Sequence, residues 1–284
     1  MGRSQNKAGK KTGPTLAQQA DKHVLYQESV QSPESDIEFF EKTYRALRGR
    51  EPRVMREDFC GTALLSVEWC RGGPQRRAIG VDICEDTLNW GREHNLVPAG
   101  PDVQQRLRLI HGNVLDAPDE QVDITCALNF SYCCFKTREQ LRQYFENVHR
   151  GLKPDGIFVM DLLGGTETMD ILEEEREVDD EDFTYIWDQD KFNPINHDLT
   201  CYIHFKFPDG SMLEKAFVYD WRLWTIPELR ELLEEAGFSK VRVYWEEFED
   251  TDEDDDELEG TGEYYEATEV ENQESWIIYI AAEA

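Results

Sequence analysis

The sequence predicts an α/β fold: a doubly wound, mostly parallel sheet with helices at the N-terminus and an antiparallel hairpin inserted near the end. Three observations carry this. Between residues 53 and 163 short apolar runs alternate with stretches of helical periodicity, the pattern of strands joined by crossover helices. The run from Val122 to Asn129 is almost continuously apolar, as suits a strand covered on both faces. Leu199 to Phe207 and Met212 to Trp221 alternate in part and flank Pro208-Asp209-Gly210, a hairpin signal.

In chain order, residues 1–17 read as a disordered basic tail: positions 1 to 12 hold four basic residues and no acid. A helix is expected from Gln18 to Val30, carrying His23 and Tyr26. A second is expected from Asp36 to Leu47, with Ile37, Phe40, Tyr44 and Leu47 at spacings of three and four. Together, residues 18–48 are candidates for a helical lid. Strand 53–58 precedes a helix from Thr62 that stops at Gly72-Gly73-Pro74. Strand 77–82 and a helix from Asp86 to His94 follow, then strand Leu107 to His111 and strand Val122 to Asn129. Thr137-Arg138-Glu139-Gln140 is a capping box opening a helix whose buried stripe is Leu141, Tyr144, Phe145, Val148 and Leu152. After a turn at Lys153-Pro154-Asp155-Gly156 comes strand Ile157 to Leu163. The acid-rich segment 167–190 gives no clear pattern, and the inserted hairpin spans 195–222. Thr225-Ile226-Pro227-Glu228 is a second capping box with Pro in the first turn. Lys240 to Trp245 and Ser275 to Ala281 complete seven strands. Residues 249 to 274 hold fourteen acids and no Lys or Arg, too much like charge to fold alone, so a mobile acidic loop is expected there. The tail apart, 18–284 reads as one domain.

The balance of 30 basic to 60 acidic residues, a formal charge of -30, repels nucleic-acid phosphates. Seven scattered cysteines without CxxC spacing argue against a disulfide framework or a zinc site and for reduced, buried thiols. No metal site is expected. The absence of a membrane-length apolar run or a signal-peptide pattern points to a cytoplasmic protein, and the Lys-rich start is compatible with nuclear entry.

The chemistry concentrates at Glu57-Asp58-Phe59-Cys60-Gly61-Thr62-Ala63, a strand, a tight turn and a helix. Unpaired N–H groups at a helix start favour a nucleotide-like ligand, Gly61 permits the sharp turn, and Glu57 and Asp82 offer carboxylates, the latter at the spacing of a ribose-binding acid. The order of elements resembles a class I S-adenosylmethionine-dependent methyltransferase. Glu57 to Ala63 resembles the family's motif I, with Cys60-Gly61-Thr62 matching its common Cys-Gly-Thr core, although Phe59 and Ala63 replace two usual glycines. Gly112-Asn113-Val114 resembles the segment that meets the adenine amino group, with Asn113 in place of the usual Asp. Leu152 to Gly156 resembles the family's lead into strand five, and the family's antiparallel last strand fits 275–281. The resemblance implies S-adenosyl-L-methionine as cofactor, held by Tyr26, Arg56, Glu57, Phe59, Gly61, Thr62, Asp82, Ile83, Asn113, Val114 and Asn129.

Candidates to contact the methyl acceptor are Tyr132, Asp161, Tyr202, His204 and Arg222, and no catalytic base stands out. The acceptor is unknown. The segment 199–221 resembles the cap-like hairpins that enclose small acceptors in this superfamily, which implies a small molecule, while the acidic stretches leave open a basic protein recruited by charge. Nucleic acid is disfavoured, since Asn129-Phe130-Ser131-Tyr132 lacks the paired prolines of the motif that clamps a target amino group. A nicotinamide-dependent oxidoreductase and a non-catalytic interaction module are the alternatives from other classes.

Overall fold

The computed structural model describes residues 13–116, 120–178, 181–249 and 259–284. Helices α1 (Leu16–Gln19), α2 (Lys22–Val30) and α3 (Pro33–Arg48) precede β1 (Val54–Asp58). Then come α4 (Leu64–Arg71), β2 (Arg77–Asp82), α5 (Glu85–Gly91), which runs on into a π-helical turn Arg92–Leu96, α6 (Pro101–Arg106) and β3 (Leu107–His111). β4 (Val122–Ala127), α7 (Arg138–Gly151) and β5 (Leu152–Gly164) complete the alternating part. Four strands follow: β6 (Leu172–Glu177), β7 (Thr184–Asn193), β8 (Asp198–Lys206) and β9 (Met212–Arg222). The chain closes with α8 (Ile226–Glu235), β10 (Lys240–Glu249), β11 (Glu259–Glu266) and β12 (Trp276–Glu283).

The main sheet runs β11-β10-β12-β5-β4-β1-β2-β3. β3 through β5 are mutually parallel, and β12 inserts antiparallel between β5 and β10. Strand order reverses between β1 and β4, and a crevice opens beyond the strand ends at such a point. Both faces are covered. On one, Tyr144, Phe145 and Val148 of α7 and Leu229, Leu232 and Leu233 of α8 bury against Phe158, Ile278 and Ile280. On the other, Phe39, Phe40 and Tyr44 of α3 and Leu65 and Trp69 of α4 bury against Met55, Ile124 and Val159. Thr225 and Glu228 cap each other reciprocally, whereas at the start of α7 only half of the expected box forms: Thr137 Oγ1 accepts from Gln140 N.

Four expectations are corrected. The main sheet has eight strands, because β11 lies within the segment expected to be an acidic loop. It is held by Tyr264, whose ring meets Phe39 at 5.4 Å and Tyr279 at 4.8 Å, and by Lys42 and Arg242, which pair with Glu263 and Glu266. Aromatic burial and two cations outweigh the local charge; residues 250–258 of that loop lie outside the described residues. The inserted hairpin is half of a separate antiparallel sheet, β6-β7-β8-β9. The basic tail lies outside the described residues up to position 12, but its end forms α1, which docks on the hairpin turn through Leu16 N to Asp209 Oδ2 and Ala17 N to Ser211 Oγ. Strand β5 also starts at Leu152, taking in the residues expected to turn. Among the described residues no helix is long and apolar enough to cross a membrane.

Candidate active site

The turn after β1 keeps a glycine-like backbone without the glycines. Phe59, Gly61 and Ala63 have φ of 59°, 52° and 56°. The left-handed region costs a residue with a side chain roughly 1–2 kcal/mol, and packing holds the turn there. Ala63 is buried with Cys60 and Leu88, and the Phe59 ring meets Phe135 at 5.9 Å and Tyr144 at 5.6 Å. Asp82 at the end of β2 ties the turn down, accepting from Gly61 N and Cys84 N, both at 2.8 Å. Gly91 lets α5 press against the turn, since a Cβ there would stand 2.2 Å from the Thr62 carbonyl oxygen.

Glu57 points across to the start of α4, which no residue of its own caps. Its Oε2 accepts from Ser66 N at 3.0 Å and from Ser66 Oγ, satisfying one of the free N–H groups of that helix end. Burial pushes the Glu57 carboxyl up to about 8; the Ser66 bonds oppose this, and repulsion from Asp36 and Asp82 adds to it.

A cavity of about 430 Å³ lies against this turn, within the range of small-ligand sites. β1 and its turn contribute Glu57, Phe59, Gly61 and Thr62; the end of β2 contributes Asp82 and Ile83; the end of β4 contributes Asn129 and Ser131. Helix α2 closes one side with His23 and Tyr26, and Gln31 follows it. The helix is pinned by Gln27 Nε2 to Thr62 Oγ1 at 2.7 Å and by Trp90 Nε1 to Asp21 Oδ2 at 2.7 Å. Burial, then Lys22, holds the His23 pKa below its usual value.

A second chamber, of about 200 Å³, adjoins the first and shares Tyr26, Asn129, Tyr219 and Trp221 with it. Its far wall is the inner face of the small sheet. Strand register aligns Glu174, Trp187, Ile203 and Phe217 in one row and Leu172, Gln189, Cys201 and Tyr219 in the next. Tyr219 and Trp221 stack at 4.2 Å, and Trp187 stands 5.9 and 6.1 Å from them. Burial drives the Tyr26 hydroxyl up to about 12 and those of Tyr185 and Tyr219 well above the ordinary tyrosine range.

Eight of the eleven residues expected at the cofactor line the first cavity; Arg56, Asn113 and Val114 do not. Arg56 points to the opposite face of β1 from Glu57, where it is fully buried and pairs with Asp58 at 3.0 Å. Asn113 turns its side-chain oxygen back onto Leu115 N at 3.0 Å, and Val114 is buried in the core. The acceptor candidates fare worse. Tyr132 is buried and donates to the Asp161 carbonyl. Asp161 caps the left-handed pair Asn129 and Phe130 by accepting both their N–H groups, and burial raises its carboxyl to about 7. Tyr202 and His204 face away from the chamber, because Ile203 between them faces in. His204 there meets Asp188 at 3.2 Å, and Lys215 covers the Tyr202 ring. Arg222 pairs with Glu228 and lies over Trp224. Sequence reasoning missed Gln31, Trp187, Phe217, Tyr219 and Trp221. The i, i+2, i+4 spacing of the last three marks one strand face, though not which side it meets.

Residues 59–156 match the sequence family described as a methyltransferase domain. YqeM of Bacillus subtilis, described as a candidate methyltransferase, is 27% identical over 193 residues, 65% of this chain and 72% of that protein. Among solved structures, S-adenosylmethionine-bound CalS10, an amino pentose methyltransferase of Micromonospora echinaspora, superposes with a TM-score of 0.65 at 14% identity over 92% of this chain and 96% of its own. A S-adenosylmethionine-dependent methyltransferase of Clostridium acetobutylicum gives 0.62 at 14% identity over 92% and 96%. KedS8, a sugar N-methyltransferase of Streptoalloteichus, gives 0.59 at 15% identity over 99% of both chains.

Proposed function

We propose that the chain is a class I S-adenosylmethionine-dependent methyltransferase and that its acceptor is a small molecule held in the aromatic chamber. The observation that carries this reading is the shared wall: Tyr26, Asn129, Tyr219 and Trp221 border both cavities, so a group in one chamber can meet a group in the other. The relatives named for amino pentose and sugar methylation support a small acceptor.

The first cavity suits a ligand with two positive charges. Glu57 and Asp82 line it, and Gln31 Oε1 is buried there without a partner among the described residues, an acceptor available to an ammonium group. Ile83, 68% exposed at the rim, offers an apolar surface to a base. In this reading Asp82 takes the ribose hydroxyls while keeping the turn in place, and α2 acts as the lid that excludes water through His23 and Tyr26. The sulfonium supplies a methyl group already activated toward nucleophiles. The protein's task is therefore alignment and exclusion of water. The test is calorimetric titration of S-adenosylhomocysteine into the full chain. Micromolar binding is expected, and absence of binding by folded protein at millimolar ligand overturns the reading.

Glu57 gives that binding a pH dependence. A carboxyl raised from 4.5 to about 8 keeps its proton in the folded state while the unfolded chain has lost it. Its contribution to stability is thus full below pH 4.5 and is lost as pH rises toward 8. A cationic ligand beside it reverses the balance by favouring the carboxylate. S-adenosylmethionine binding at pH 7 is expected to release a proton, with affinity rising between pH 6 and 8 by at most about tenfold per unit. Titrations in two buffers of different ionisation enthalpy measure the release, and Glu57→Gln should abolish it. Equal proton release in the variant would assign the effect elsewhere.

A further inference from the structure

Accepting the methyltransferase reading, on which the inference rests, the geometry points to an amine as the acceptor, bound as a cation in an aromatic cage of Trp187, Tyr219 and Trp221 and methylated on nitrogen. The cage is built before any ligand arrives. Tyr219 and Trp221 stack at 4.2 Å, Trp187 leans toward both at 5.9 and 6.1 Å, and Phe130 meets Trp221 edge-on at 6.1 Å and 87°. Faces of electron-rich rings around a small volume attract a cation through their quadrupoles.

The charges agree with the rings. Two carboxylates, Glu167 and Glu174, line the chamber, and no Lys, Arg or His does. Strand register sets Glu174 directly opposite Trp187. Neither carboxylate is paired with a basic side chain among the described residues. The nearest cation on that strand, Arg176, is committed to the Ser29 carbonyl and to the face of Tyr185 at 5.3 Å, so Tyr185 is left out of the cage. An anionic acceptor would meet two uncompensated carboxylates.

The chamber's lack of a strong base favours nitrogen over oxygen. A hydroxyl acceptor must give up its proton as it attacks, and a group near the working pH helps only there. Here the tyrosine hydroxyls are pushed far from neutrality and no histidine lines the wall. An amine needs no such help, because the fraction that has shed its proton to water carries a free lone pair. That lone pair forms the new N–C bond as the C–S bond breaks. The electron pair of the broken bond stays on sulfur, leaving neutral S-adenosylhomocysteine, and the positive charge passes to the methylated nitrogen. Trp187, Tyr219 and Trp221, which line the chamber, then lie beside that charge, and any proton remaining on nitrogen leaves to water.

The test uses three probes of one shape: choline, the uncharged 3,3-dimethylbutan-1-ol and the anionic 3,3-dimethylbutanoate. Each is titrated into the full chain saturated with S-adenosylhomocysteine, with tryptophan fluorescence and heat as readouts. Choline is expected to bind about tenfold or more tightly than the alcohol, and the butanoate weakest. Trp187→Leu should remove most of that preference. Glu174→Gln, an exposed strand position that does not threaten the fold, should weaken choline about threefold and leave the alcohol unchanged. The alcohol or butanoate equalling choline, or an intact preference in Trp187→Leu, overturns the cage. Those results with normal S-adenosylhomocysteine binding leave the methyltransferase reading standing, whereas failure to bind S-adenosylhomocysteine removes both.

Discussion

Replacing Arg56 with alanine is expected to destabilise the fold by about 3–5 kcal/mol, because it strands a buried carboxylate. Arg56 and Asp58 are both fully buried at 3.0 Å separation. Burial raises the Asp58 carboxyl, while Arg56 and the Tyr144 hydroxyl hold it down. The pair is incompletely satisfied: Arg56 Nε and Nη1, Asp58 Oδ1 and Thr125 Oγ1 have no partner among the described residues, and Thr125 faces Arg56 across the strands. Such a pair contributes little net stability, yet losing one member is costly. The double variant Arg56→Met with Asp58→Asn keeps an acceptor for Tyr144 and should return to within about 1 kcal/mol of the parent. Urea unfolding of both variants measures this. A single variant as stable as the parent would mean that water already solvates the pair.

Asp82→Ala is expected to weaken S-adenosylhomocysteine binding about ten- to hundredfold, equivalent to roughly 1.5–3 kcal/mol for lost bonds to a charged acceptor. Two losses combine. The ligand loses its proposed ribose partner, and Gly61 N and Cys84 N lose the carboxylate that fixes the turn. Asp82→Asn keeps one acceptor oxygen and gives up the other, so its affinity should fall between parent and alanine variant. Calorimetry on the three proteins orders them, with melting temperature as a check on folding. An unchanged affinity in Asp82→Ala would move the anchor to another residue, and Glu57 would be tested next.

Where the residues carry a local cause, the sequence was legible. The seven expected strands follow from short apolar runs, and the starts of α7 and α8 from Thr137 and Thr225, whose side chains bond their own helix ends. Gly61 marked the turn because its neighbours in sequence already demanded one. Glu57, Asp82 and Asn129 could be placed at the cavity because strand ends in a parallel sheet converge at the reversal of strand order, whereas Tyr26 reaches it from helix α2.

Long-range contacts were not legible. Arg56 and Glu57 are adjacent in sequence, but strand alternation sends them to opposite faces, and only the position of α4 and α7 shows which of the two borders the first cavity. Tyr202 and His204 are candidates by side-chain chemistry alone, and a place on an antiparallel strand already suits them as sheet-face residues. The pairing of β8 between β7 and β9 turned Ile203 inward instead.

By itself, then, the sequence determined seven of the main sheet's eight strands and the turn that organises the site, since these rest on periodicity, caps and residues close along the chain. Tertiary structure alone decided that acidic residues 259–266 form a strand against Phe39 and Tyr279, that Phe59 and Ala63 hold glycine conformations, and that Phe130, Trp187, Tyr219 and Trp221, from two strands and one loop, line one chamber. The physical reason is common to all three. Each is a local cost, of charge, of backbone strain or of exposed apolar surface, offset by contacts between residues far apart in the chain.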